Sequence, residues 1–167
     1  MNNYKETLKS LGLGTQIFEY AKLVKTEVIE IGDNCKIDDF TFIYGGEGIK
    51  IGNNTHIASF VSIIGGGKLT IGNDVGLSQG VRVITGTNDY RTGKCSAASK
   101  KEEQGFYLGH VQIEDDVIVF SNAVITPNVK IGEGAVIGAL SLVNRDVEPW
   151  SVNVGTPIKK IGMRPRL

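Results

Sequence analysis

From Ile113 the chain divides without remainder into IEDDVI, VFSNAV, ITPNVK, IGEGAV, IGALSL and VNRDVE, six residues each, every block opened by Ile or Val. The fifth residue of each block is small or β-branched: Val117, Ala123, Val129, Ala135, Ser141 and Val147. Upstream, IGDNCK, IDDFTF, IGNNTH, IASFVS, IGNDVG and LSQGVR keep the same beat from about Ile31 to Val83, with longer closures at residues 43–50 and 63–70. Six is neither the period of a helix nor the two-residue alternation of a strand. It suits a strand of two or three residues followed by a bend, with the opening aliphatic turned inward. Three such sides close a triangular coil, and stacked coils pair as parallel strands around a core that no single coil could bury. Gly and Asn in IGDN, IGNN, IGND and IGEG supply the unusual backbone angles that corners require. The fold class expected is all-β, a parallel β-helix of hexapeptide repeats.

One domain is expected over residues 1–167, a length that buries a real core. A solenoid needs caps at both ends. In front, NNYKETLKSLG reads as a short helix stopped by Gly12 and Gly14, within an N-terminal cap of residues 1–27. Coils are expected over 28–83 and 113–148, a loop excursion over 84–112, and an irregular tail over 149–167 held out of the coil by Pro149, Pro157 and Pro165. Lys plus Arg equals Asp plus Glu at 18 each, so the chain lacks the basic field of a nucleic-acid binder. No apolar run approaches the ~18 residues of a membrane span, and the N-terminus has no signal-peptide core. With Cys35 on an inward position, a buried thiol is expected instead of a disulfide, and the setting reads as cytoplasmic. Phe42, Phe60, Ile118, Val124, Val136 and Leu142 fall on outward positions, a column that suggests a partner surface.

With the hexads laid out, IGEGAVIGALSLVNRDVEPWSVNVGTPIKKI resembles the closing coils and tail of the hexapeptide-repeat acyltransferases, and the similarity covers roughly residues 28–162. The nearest flavour is the maltose/galactoside O-acetyltransferase-like group of polysaccharide biosynthesis. The resemblance implies a left-handed helix, although parallel crossovers are otherwise almost always right-handed. It also implies acetyl-CoA as co-substrate, no metal, a sugar or nucleotide-activated sugar as acceptor, and a homotrimer with each active site between two subunits. By the same resemblance Ser121 and Ala139 line the pantetheine arm, while Asn144, Arg145 and Lys159 lie near the nucleotide end of CoA. Lys159, Lys160, Arg164 and Arg166 form a cationic tail suited to phosphates.

A long excursion inside a compact repeat is functional or disordered. In related sugar acetyltransferases it reaches a neighbouring subunit and carries the catalytic histidine. Here that place, in TGTNDY, holds Asn88, and ASF with Phe60 replaces a substrate-facing asparagine. Two histidines exist, His56 and His110. His110, at the returning stem, is the expected base for a hydroxyl acceptor, since imidazole titrates near ~6.5. Asp89 would orient His110 or bind a sugar hydroxyl, Asn88 would position the acceptor, and Tyr90 would stack on the sugar ring. His56 reads as a surface or packing residue. A sugar amine is a better nucleophile than a hydroxyl, so an N-acetyltransferase with Asn88 and Asp89 on the amine is the alternative. A non-catalytic β-helix scaffold is another. A zinc site of three converging imidazoles lacks a third histidine.

Overall fold

A computed structural model describes residues 4–166. The chain winds as a left-handed parallel β-helix with three flat faces. The first face stacks Ser10–Leu11, Ile29–Ile31, Gly48–Ile51, Lys68–Ile71, His110–Ile113 and Lys130–Ile131. The second stacks Gln16–Ile17, Lys36–Ile37, His56–Ile57, Gly76–Leu77, Ile118–Val119, Val136–Ile137 and Ser151–Val154. Lys22–Val24, Phe42–Tyr44, Ser62–Ile64, Arg82–Ile84, Val124–Ile125 and Leu142–Val143 make the third.

The register explains the hexads. Ile37, Ile57 and Leu77 pair directly on the second face, as Ile43, Ile63 and Val83 do on the third, and all six are fully buried. Each such side chain contributes about 1.5–3 kcal/mol relative to exposure. All six fifth-position residues from Val117 to Val147 are buried too. The one polar member, Ser141, accepts the Gly155 N–H through its Oγ at 3.0 Å. The corner after the first face carries a second ladder: Asp33, Asn53, Asn73 and Asp115 each accept, at 2.7–2.8 Å, a backbone N–H of the preceding coil. IGDN and IGNN thus encode a side-chain cap as well as a bend, since a buried or crowded N–H must find an acceptor.

Three boundaries differ from those expected. The helix is only Tyr4–Thr7, with residues 1–3 outside the described region, and the coils begin at Ser10–Leu11, which pair with Glu30 and Ile31. Leu11, Ile17 and Leu23 are hexad openers, so residues 10–27 are a coil and not part of a cap; the helix ends at Thr7, and Gly12 and Gly14, expected to stop it, lie within that coil. At the other end, Ser151–Val154 adds a parallel strand to the second face and Lys159–Met163 folds back on it antiparallel, so the tail is ordered sheet. Pro149 and Pro157 fall outside these strands, where a missing N–H costs no ladder bond.

The excursion is also structured. Gly86–Asn88 pairs antiparallel with Phe106–Leu108, and the first face resumes at His110 instead of Ile113. A short 3-10 turn at Lys101–Glu103 and a bridge between Lys94 and Gln104 order its distal part, where a solvated tip was expected. The hairpin leaves the body through a glycine-built stem. A Cβ on Gly67 would stand 2.2 Å from the Gly109 carbonyl oxygen and 2.3 Å from that of Thr85. Of the expected outward column, Phe42 and Phe60 are exposed, and Ile118, Val124, Val136 and Leu142 are half-buried. Both cysteines are free; Cys35 is buried and Cys95 exposed. Burial pushes the Cys35 thiol up, and its Sγ donates to the Gly52 carbonyl at 2.9 Å. Among the described residues no helix is long and apolar enough to cross a membrane.

Candidate functional site

A shallow cleft of about 290 Å³ lies at the corner between the second and third faces, lined by His56, Ala58, Gly76, Ser78, Gln79 and Ser121, among others. It opens because the column Lys36, His56, Gly76, Ile118 loses its side chain at Gly76. Ser121 and Ala139 occupy the same corner on successive coils, and the Leu140 N–H donates to the Ser121 carbonyl at 3.0 Å. Their small side chains keep this wall flat, as a pantetheine arm would require. At the C-terminal end Arg145 and Lys159 meet in a second hollow of about 290 Å³ with Asp146, Glu148 and Lys160. Two expected cations are already paired. Lys160 pairs with Glu148 at 2.6 Å. Arg164 donates to the Asp116 carbonyl at 2.7 Å and its carboxylate at 3.1 Å, beneath the Trp150 ring. Asn144 is exposed at the start of this turn.

His110 stands on the first face, in register with Lys68, its Nε2 2.9 Å from Thr70 Oγ1 and its backbone N–H on Asn128 Oδ1 at 2.9 Å. It borders a charged hollow with Lys9, Glu27, Glu30, Lys50 and Lys68. Within one chain it is therefore not beside Ser121 and Ala139.

Nor does it meet Asp89. The Asp89 N–H bonds the Gly105 carbonyl, five residues before His110, which is about 16 Å of extended chain at ~3.3 Å per residue. Asp89 instead receives the Arg91 guanidinium at 2.9 and 3.2 Å and its backbone N–H at 3.0 Å. Hydrogen bonds from Arg91 hold this carboxyl below its ordinary range, so it is an acceptor throughout neutral pH. The expected Asp89–His110 pair is thus corrected: antiparallel pairing carries Asp89 outward along the hairpin while His110 stays on the body. Asn88, opposite Phe106, donates its amide to the Cys95 carbonyl. Tyr90 is 80% exposed at the hairpin's end.

Two arrangements were not read from the sequence. His56 Nε2 lies 2.9 Å from Asp38 Oδ2, a pair across coils that needed the register to be seen. Tyr20, Phe40 and Phe60 stack at one corner, a ladder legible in hindsight from their spacing of twenty residues. Among the described residues no group of three or more His, Cys, Asp or Glu is placed to hold a metal ion.

A left-handed hexad helix with a hairpin excursion and a flat-walled corner cleft defines the class of hexapeptide-repeat acyltransferases. Residues 110–145 match the family described as bacterial transferase hexapeptide (six repeats). The chain is 38% identical over 160 residues to dTDP-4-amino-4,6-dideoxy-D-glucose acyltransferase of Escherichia coli, covering 95% of this chain and 83% of that protein. It belongs to the hexapeptide-repeat transferase family and is an acyltransferase. A point variant of AntD, an N-acyltransferase from Bacillus cereus, solved with dTDP-4-amino-4,6-dideoxyglucose and coenzyme A, superposes with a TM-score of 0.90 at 29% identity, covering 97% of this chain and 87% of that one. AntD with dTDP and 3-hydroxybutyryl-CoA gives 0.85 at 30% identity, with coverages of 97% and 86%.

Proposed function

We propose that this protein transfers an acyl group from an acyl-CoA to the amino group of a dTDP-linked amino sugar. The observation that carries this reading is 38% identity over 160 residues, 95% of this chain, to a dTDP-amino-sugar acyltransferase. The amine nitrogen attacks the thioester carbonyl; a C–N bond forms, the C–S bond breaks, and the amine's proton ends on the departing thiolate. An amine acceptor makes this N-transfer the favoured form of the two acceptor chemistries read from the sequence. It also relaxes the demand for an imidazole base, which suits a His110 engaged with Thr70 at the hairpin stem.

In this reading Ser121 and Ala139 flank the pantetheine arm, and Asn144, Arg145 and Lys159 serve the nucleotide end of CoA. The ionised Asp89, with Asn88, binds the sugar amine, and Tyr90 packs on the sugar. The hairpin exposes Phe106, Tyr107, Leu108 and Tyr90, more apolar surface than an isolated two-stranded ribbon supports in water. This exposure supports a contact with another subunit, and in this reading the working unit is a homotrimer, each hairpin completing a neighbour's cleft, in a cytoplasmic step of surface-polysaccharide assembly.

The test is direct. Purified protein, acetyl-CoA and dTDP-4-amino-4,6-dideoxyglucose should release free thiol and yield a sugar nucleotide heavier by one acyl group. Thiol release with hydroxyl sugars but not with any amino sugar would overturn the amine assignment.

A further inference from the structure

Tyr20, Phe40 and Phe60 form a ladder along the corner between the second and third faces, with ring centroids 5.6 and 5.3 Å apart and interplanar angles of 8° and 10°. The rings are 63%, 56% and 63% exposed, so burial does not explain them. Phe40 and Phe60 also take left-handed backbone angles, with φ of 62° and 64°. This corner takes that conformation in coil after coil, with Gly80, Asn122 and Leu140 at φ of 72°, 60° and 59°; Gly and Asn suit it, so the backbone does not favour a bulky ring there. Neither burial nor backbone preference calls for a ring at this corner, so the stacked, exposed rings are free to meet something outside the chain.

The ladder ends beside the candidate cleft. The next rung above Phe60 is Gly80, whose backbone N–H bonds the Ser59 carbonyl. Only the Asn122 amide comes close to it: a Cβ there would stand 2.3 Å from Asn122 Oδ1. Among the described residues no fourth ring stacks on Phe60. Ala58 and, one coil on, Ser78 and Gln79 flank this step and line the cleft that contains Ser121. A ligand reacting near Ser121 and running toward the N-terminal coils meets the uncovered face of Phe60 about two coil spacings away, on the order of 10 Å.

We propose that Phe60 is a stacking platform for the pyrimidine ring of the acceptor's nucleotide, which takes the place of the missing rung over Gly80. The proposal rests on the dTDP-sugar reading above. Every base presents a π-face, and a planar ring at aromatic stacking distance gains contact that a diphosphate does not. Phe40 backs Phe60 and holds its plane.

The test is calorimetric binding of dTDP, of inorganic pyrophosphate and of CoA to wild type, Phe60→Ala, Phe60→Tyr and Phe60→Asn. Asn fits the left-handed backbone, so Phe60→Asn keeps the fold while removing the ring. Expected is a roughly 5- to 150-fold weaker dTDP affinity for Phe60→Ala and Phe60→Asn, near-wild-type affinity for Phe60→Tyr, and unchanged pyrophosphate and CoA binding. Equal dTDP affinity in wild type and Phe60→Ala overturns the platform and leaves the acceptor reading intact. A wild type that binds CoA but not dTDP overturns the acceptor reading and the platform with it. Loss of oligomer in Phe60→Asn, seen by sedimentation with dTDP affinity retained, assigns the ladder to a subunit contact and overturns the platform.

Discussion

The coil body and the hairpin treat the same kinds of side chain in opposite ways. In the body, Ile57 sits between Ile37 below and Leu77 above and is fully buried; the register that satisfies its backbone also closes its surroundings. In the hairpin, Phe106, Tyr107 and Leu108 have a single partner strand and remain exposed. The hairpin's tie to the body beyond its stem is small: the Asn128 amide donates to the Tyr107 hydroxyl at 2.6 Å. Stacking spends side chains on the core. Leaving the stack frees them for something outside the chain, and that is where the proposed acceptor-binding residues lie.

Five substitutions or conditions would break or sharpen this contrast. The largest effect belongs to the body. Ile57→Asp buries an unpaired carboxylate, which costs several kcal/mol against a total stability of ~5–15 kcal/mol, so circular dichroism should show an unfolded or severely destabilised chain. Survival of a native-like melt would mean the stack is looser than its register implies.

Next in size, Asp89→Ala should cut kcat/KM for the amino sugar by roughly 10- to 100-fold, a loss of about 1.4–2.7 kcal/mol, while the melting temperature stays within a degree or two of wild type. Lys159→Ala should act in the other half of the site, raising the apparent constant for acyl-CoA with little change in kcat, as a contact equal in ground and transition states does.

Smaller again, Leu108→Asp should leave each chain folded but shift sedimentation toward monomer, since only assembly would bury that residue. An unchanged oligomer would remove Leu108 from the contact.

The smallest effect is acid sensitivity. Lys130 holds the Glu114 carboxyl down within the body, and Arg91 does the same to Asp89 in the hairpin. A carboxyl with a lowered folded-state value lends stability above its unfolded value near ~4 and loses it as pH falls through the folded one. The melting temperature should be level from about pH 8 to 5 and fall below about 4. Glu114→Gln should flatten that fall slightly, and Asp89→Asn should not alter it if the hairpin lies outside the cooperative unit.

Much of this was legible in the residues. An Ile every six positions announces a coil of short sides, because no helix or long strand can turn such a spacing inward. The first coil was hidden only because Leu11, Ile17 and Leu23 sit among polar residues after a helix-like opening. The hairpin was hidden because GTN and FYL carry no alternation; their pairing is set by the glycine stem that brings residues 86 and 108 together. That Ser121 and Ala139 share a corner was legible from the repeat, since stacked positions map directly onto space; their role and that of Arg145 and Lys159 came only from the family resemblance. The places of His110 and Asp89 were not legible, because nearness at a stem holds only until an antiparallel ribbon carries one strand away.

The sequence by itself determined the solid: a triangular helix with aliphatic ladders, Asx-capped corners and an interruption placed next to the last coils. Only the tertiary structure decided what the interruption is, which imidazole shares a cleft with Ser121, and that the aromatic rungs end at Gly80. The physical reason lies in range. A hexad is read from residues six apart, which a local period records. A cleft is defined by residues one or more coils apart whose side chains need no pattern, only a common place in space.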